Sequence, residues 1–326
     1  MRIVPLLFSL AWLTACQPAP SSPDSMAADA AIPATLAADW SPAPRWKKDG
    51  LRLVPITATD DFIAGHAAVA QYKALPEALT NEHFRITEKL PYGRFEDAGA
   101  VNNLTVQNKT EETVFLMQGE IVRGGNQDRV IAQDMVIPPR TITDVPVFCV
   151  EHGRWTYRDQ PESVSEADEK VFAFRGYYNV AASPVRRSVQ SGSQQAVWAE
   201  VAALTSLHGA ASSTSAYAGL ESSEDFVAQR QDYERFFSDK LADNEHIVGF
   251  VALYEGQVIG ADVFAHPRLL NQLYPALLTS YITDAVSGQE SGAVAQTPES
   301  FTTSLLEETI SLNGEQVHLS RLPQVK

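Results

Sequence analysis

Gln118-Gly119-Glu120-Ile121-Val122-Arg123-Gly124-Gly125-Asn126-Gln127-Asp128-Arg129, with a second stretch ending in Cys149-Val150-Glu151-His152-Gly153-Arg154-Trp155, is the part of the chain around which the rest is arranged. The apolar run Val114 to Met117 leads into the first stretch, and Val145 to Val150 leads into the second. Each reads as a strand that delivers polar groups at one end. Gly119, Gly124 and Gly125 permit sharp turns after the first strand, and Gly153 permits one after the second. If the two strands share a sheet with those ends together, Glu120, Gln127, Arg129 and Glu151 converge at one rim.

Outward from this centre, Leu51 to Ile56 and Phe84 to Glu88 read as strands. Leu104 to Gln107 and Val114 to Met117 form a hairpin around the polar turn Asn108 to Glu112. Arg129 to Ala132, Met135 to Ile137 and Thr141 to Val150 continue as short strands, and Tyr72 to Leu79 reads as a short helix with Pro76 in its first turn. Short strands with frequent turns predict an antiparallel sandwich or barrel in this half. The later half changes character. Ser193 to Leu207, Asp225 to Leu241 and Pro267 to Val286 carry apolar residues at helical spacing. Ile247 to Tyr254 and Gln257 to Phe264 flank Glu255-Gly256 as a tight hairpin. Ala210 to Leu220 and Gly288 to Pro298 read as loops, and Gln316 to Leu322 as a last strand. The expectation is one α+β domain over 46–326, with helices packed on a mainly antiparallel sheet.

Ahead of that domain, Arg2, the apolar stretch Ile3 to Trp12 and Leu13-Thr14-Ala15-Cys16 read as a secretory signal over 1–15. Leu-Thr-Ala-Cys resembles the bacterial lipobox, in which the cysteine is acylated and becomes the first mature residue. The resemblance implies lipid on Cys16, membrane anchoring, and, with Gln17 following, the periplasmic face of the outer membrane. Residues 16–45 are rich in Ala, Pro, Ser and Asp without a period and read as a flexible tether.

The 326 residues carry a net charge of −15 and a mean hydropathy of −0.15. That acidity argues against a nucleic-acid partner, because phosphate binding relies on Lys and Arg. With Cys16 taken by lipid, Cys149 stands alone, so neither an internal disulfide nor a cysteine metal site is expected. Within its apolar run Cys149 reads as a buried, inert side chain. Gly119 to Gly125 lacks the Gly-Lys-Ser/Thr ending of a phosphate loop, and Glu120 would face any phosphate with like charge. No His-x-His, His-Glu-x-x-His or Gly-x-Ser-x-Gly pattern occurs, so no metal site, no cofactor and no hydrolase elbow is expected. What remains is a polar set, Glu120, Arg123, Gln127, Arg129, Glu151, His152 and Arg154, with Glu120 and Glu151 as candidate acid–base groups and Gln127, Arg129 and Arg154 as candidate ligand contacts. Mutual Arg–Glu pairing where strands end is the alternative.

At these residues the chain resembles the ADP-ribosylglycohydrolase- and rhodanese/phosphatase-associated protein domain family. The resemblance lies in Gly119-Glu120, Gly125-x-Gln127-x-Arg129 and Cys149-Val150-Glu151-x-Gly153-Arg154-Trp155. It extends to Leu75-Pro76-Glu77-Ala78-Leu79, Glu88, Ala196-Val197-Trp198, Gly249-Phe250-Val251, Gly260-Ala261-Asp262-Val263-Phe264 and Tyr274-Pro275-Ala276-Leu277-Leu278, covering roughly 51–286. It implies that Glu88 and Asp262 join the candidate ligand-binding residues. It implies the company of ADP-ribose- and phosphate-processing proteins and no particular reaction. Two functions follow as expectations. One is an envelope protein binding a small anionic or sugar-like ligand, and the other is a hydrolase of phosphate- or ADP-ribose-type compounds. A purely structural envelope protein is the third alternative.

Overall fold

The computed structural model describes residues 35–89, 102–154, 173–210, 213–288, 296–309 and 316–323. The proposed signal peptide and Cys16 lie outside the described residues, as does Trp155. The largest sheet runs β1 (Leu36–Ala38), β3 (Leu51–Ala58), β13 (Ile247–Tyr254), β14 (Gln257–Phe264) and β15 (His318–Arg321), all antiparallel. A two-residue β2 (Lys47–Lys48) also pairs with β3. Alternate residues of β3 feed two cores, which is why it reads as one continuous apolar run. Leu51 and Leu53 pack towards the long helix α6 (Pro267–Val286), whereas Val54 and Ile56 pack with Phe301 and Leu305 of α7 (Pro298–Thr309).

Six other strands close into an antiparallel barrel. They are β5 (Phe84–Glu88), β6 (Asn103–Asn108), β8 (Glu120–Gly124), β9 (Arg129–Ile131), β11 (Thr141–Cys149) and β12 (Ala173–Val180), in the order β11-β6-β5-β12-β8-β9. Closure leaves these strands no free edge. Ile86, Leu104, Val106, Val122, Ile131, Val145, Val147 and Phe174 fill the interior. Beside the barrel, β7 (Val114–Leu116) joins β10 (Met135–Ile137) and, in parallel, β4 (Lys73–Ala74). Helices α3 (Ser183–Gln190), α4 (Gln194–Leu207) and α5 (Glu224–Phe237) cover its outside, where Ile121, Val130 and Val150 meet Val185, Val197, Val201 and Phe226.

The α+β expectation is met, with five local corrections. Leu104 to Gln107 and Val114 to Met117 do not pair as a hairpin: β6 joins β5 and β11 in the barrel, and β7 joins β10 and β4 beside it. Order begins before 46, because Leu36–Ala38 extends the main sheet beside Ala58 to Ile56. The helix expected over Tyr72 to Leu79 shrinks to α2 (Leu75–Ala78), since Lys73 and Ala74 are drawn into a ladder with Val114 and Phe115. The loop expected over Ala210 to Leu220 contains part of a 3-10 turn, Tyr217–Ser222. The two halves also exchange strands: β3 completes the sheet of the late hairpin, and β12 closes the early barrel.

Candidate functional site

One end of the barrel interior is polar. Glu88 lies two residues beyond Ile86, Arg129 two before Ile131, and Cys149 two beyond Val147, so the period of two turns all three inward. Register agrees, with Ile131 opposite Val147 and Arg129 opposite Cys149. Arg129 is fully buried. Its Nη2 donates to Glu88 Oε1 at 3.3 Å, and its Nη1 donates to the carbonyl and side-chain oxygens of Gln127, each at 3.2 Å. Glu88 Oε1 also accepts the Asn126 N–H at 2.9 Å. Gly125, with φ of 51°, makes this approach possible, because a Cβ there would stand 2.7 Å from Glu88 Oε1 and clash with the edge of the Phe174 ring.

A second layer closes over the first. Glu151 Oε2 accepts the Arg154 Nε–H at 2.8 Å and the Asp128 N–H at 3.2 Å. Arg154 further donates to the carbonyls of Gly125 and Gly124, and to Asp128 Oδ1 at 3.2 Å. Asp128 Oδ1 accepts the Gly124 N–H, and its Oδ2 faces Arg123 Nε at 3.6 Å. Among the described residues the cluster therefore holds three carboxylates, Glu88, Asp128 and Glu151, against three guanidiniums, Arg123, Arg129 and Arg154. Counted over those six side chains, it is charge-balanced.

Beside this cluster lies a cavity of about 330 Å³. Cys149, Gln127, Gly153 and Arg154 line it from the barrel end. Asn102, His152 and the α4 residues Gln194 and Trp198 complete it. The His152 ring stands edge-on to Trp198 at 4.4 Å. Gln194 fixes α4 to the barrel: its amide accepts from Cys149 N–H and donates to Cys149 C=O, both at 2.8 Å. It thus takes the place of a strand partner where β6 has ended at Asn103. The position suits Ser193 as N-cap, its hydroxyl accepting from Ala196 N–H. Burial pushes the Cys149 thiol above its ordinary value and Glu88 adds to this, while Arg129 opposes it.

The sequence-derived candidates divide. Glu88, Gln127, Arg129, Glu151 and Arg154 come together at the barrel mouth. Glu120 and Asp262 do not join them. Glu120 opens β8 and its carboxyl turns to Met117 and Tyr177, whereas the charged groups of the cluster meet around Gly124 to Asp128, towards the other end of that strand. Fully buried, Glu120 accepts Met117 N–H at 2.6 Å and the Tyr177 hydroxyl at 3.0 Å, and burial raises its pKa to about 8. Asp262 pairs with Arg186 at 3.2 and 2.5 Å, and with Tyr281 and His318. The sequence reading missed Asp128, Gln194 and the barrel-mouth place of Trp198. Asp128 occupies the unread position inside Gly125-x-Gln127-x-Arg129, and Trp198 lies in a motif already singled out. Gln194 gives no signal, because its role depends on where a distant strand stops. No group of acidic, histidine or cysteine side chains among the described residues could hold a metal ion.

Residues 41–321 match the ARG and Rhodanese-Phosphatase-superfamily-associated Protein domain, and the chain belongs to that family. No curated protein and no solved structure matches it.

Proposed function

We propose that this chain is a lipid-anchored protein of the bacterial cell envelope whose barrel-mouth cavity binds a small, uncharged, sugar-like ligand. The observation that carries the ligand class is the balance of charge. Arg129 and Arg154 both already face carboxylates, so an anion would have to displace Glu88, Glu151 or Asp128 from an established pair. What the cavity offers a ligand is the Trp198 ring, amide and imidazole groups, a protonated thiol, and the guanidinium of Arg154, which already faces Asp128 and Glu151. Such a lining, with hydrogen-bonding side chains set around one large aromatic ring and a volume near the small end of ligand pockets, suits a neutral ring-shaped molecule. A hydrolase using Glu120 and Glu151 together loses its basis, because the two carboxyls belong to opposite ends of β8. The membrane anchor rests on Leu13-Thr14-Ala15-Cys16 behind its apolar run.

The test is a thermal-shift screen of neutral mono- and disaccharides against their phosphorylated counterparts and nucleotides. A ligand that binds only the folded state raises the melting temperature. Neutral sugars raise it, and Trp198→Ala removes the effect. A larger rise with phosphorylated compounds, or none with any sugar, overturns the ligand reading. Separately, labelled fatty acid enters the wild-type chain and not Cys16→Ser; equal labelling overturns the anchor.

A further inference from the structure

The C-terminal strand β15 is held at the edge of the main sheet, with β14 as its strand partner. Much of its attachment is polar. Ser320 Oγ accepts from Arg186 Nη2 at 2.6 Å, and Arg321 reaches Ser304 and Glu308 on α7. His318 is the innermost contact, its side chain fully buried between the rings of Phe264, stacked at 4.4 Å, and Phe115, edge-on at 6.1 Å. Both its ring nitrogens meet carboxylates. Nδ1 lies 2.7 Å from Asp134 Oδ2, in the link between β9 and β10, and Nε2 lies 3.1 Å from Asp262 Oδ1 on β14.

Two carboxylates can both be satisfied by one imidazole only if both ring nitrogens carry protons. The alternative, a proton on one carboxyl, is opposed at each end. Asp262 is held ionised by the Arg186 guanidinium and by the Tyr281 hydroxyl at 2.5 Å. Asp134 accepts the Gln118 N–H at 2.7 Å on its other oxygen, and its side chain is 32% exposed. The chain Asp134–His318–Asp262–Arg186 then alternates in sign and sums to zero. Glu120 on β8 with Tyr177 on β12, and Asp284 on α6 towards Arg186, are the other titratable groups at this joint among the described residues.

We propose that His318 is a structural imidazolium and that the attachment of β15 to the barrel-side loop is proton-dependent: once the proton is lost, the strand is released from Asp134. A neutral imidazole can donate from one nitrogen only, and its bare lone pair then faces a carboxylate across about 3 Å. Burial opposes the charge on His318, but Asp134 and then Asp262 outweigh it and raise its pKa to about 9. The latch is thus closed at neutral pH and opens on the alkaline side.

Nitrogen-15 NMR of histidine-labelled full-length chain tests this, with His318→Gln assigning the signal. Both ring nitrogens are expected protonated at neutral pH, with a midpoint near 9. Asp134→Asn, at a partly exposed position that should fold, lowers the midpoint by about 1–3 pH units. Above the midpoint, amides of β15 exchange about tenfold faster relative to those of β3 and β13 in the same sample. A neutral His318 at neutral pH overturns the imidazolium. A normal midpoint shift in Asp134→Asn without faster β15 exchange overturns the latch. If His318→Gln does not fold, the signal that moves in Asp134→Asn supplies the assignment.

Discussion

Arg129 is the side chain on which the barrel mouth depends most. Fully buried, it faces Glu88 on one side and both oxygens of Gln127 on the other, so its removal strands a carboxylate in the barrel interior. Arg129→Ala is expected to cost about 3–5 kcal/mol in chemical denaturation, whereas replacing Arg129 and Glu88 together by apolar residues costs much less. A near-neutral Arg129→Ala would show that the pair is not a structural closure. Cys149, which lines the cavity and is 2% exposed, has its thiol pushed up by burial. Folded protein should therefore resist alkylation at neutral pH and unfolded protein react; rapid labelling of the folded chain contradicts this. At this scale much of the cluster was legible, because glycines and charged residues recur together in two short stretches. Glu120 misleads, since a residue at the start of a strand and one at its end look equally close in sequence.

Among elements, α4 is held by an unusual device, a glutamine that continues the β-ladder of β11 by bonding both backbone groups of Cys149. Gln194→Ala leaves that buried N–H and C=O without partners and is expected to cost about 1–3 kcal/mol. The same variant should loosen Trp198 and weaken ligand binding. Unchanged stability by denaturant titration would mean that water serves the two groups as well. Helix α4 itself was readable from Val197, Val201 and Leu204 behind a serine cap. Helix α3 was not, because its eight residues offer only Pro184, Val185 and Val189 as apolar side chains, too short a run to set it apart, while Ser183, Arg186 and Ser188 are buried with them. The Lys73–Ala74 strand was unreadable for a different reason: its partner in β7 decides its conformation, and Gln272 of α6 takes its Ala74 N–H at 2.8 Å.

Across the whole molecule, the buried groups Asp284, Glu120 and His318 among the described residues give stability the same pH sign; burial raises Asp284 to about 6, and Glu120 and His318 act at higher pH. Glu120 rises from 4.5 to about 8 through burial, so between those values the folded state holds a proton that the unfolded state has lost. His318 behaves likewise between 6.5 and about 9. Both contributions are complete below the unfolded values and are lost as pH rises through the folded ones, at about 1.4 kcal/mol per pH unit for each proton held. Stability should therefore fall from mildly acidic to alkaline pH, and Glu120→Gln should flatten the earlier part of that decline. A wild-type curve without slope between these values contradicts the burial of a neutral Glu120.

The sequence by itself determined the class of the fold, most of its strands, the late hairpin and long helix, the family, and the residues that crowd the barrel mouth. These follow from local causes: alternation, helical spacing, turn residues and a motif written in contiguous letters. Only the tertiary structure decided that six strands close into a barrel, that β3 and β12 cross between the halves, and that Glu120 and Asp262 belong to a second buried network. It also decided that the arginines at the mouth are already matched by carboxylates, because pairing of charges is set by which strand ends meet in space. Val147 and Ile131 lie opposite one another on neighbouring strands, and that register brings Cys149 opposite Arg129; closure of the barrel brings Glu88 of β5 to Arg129.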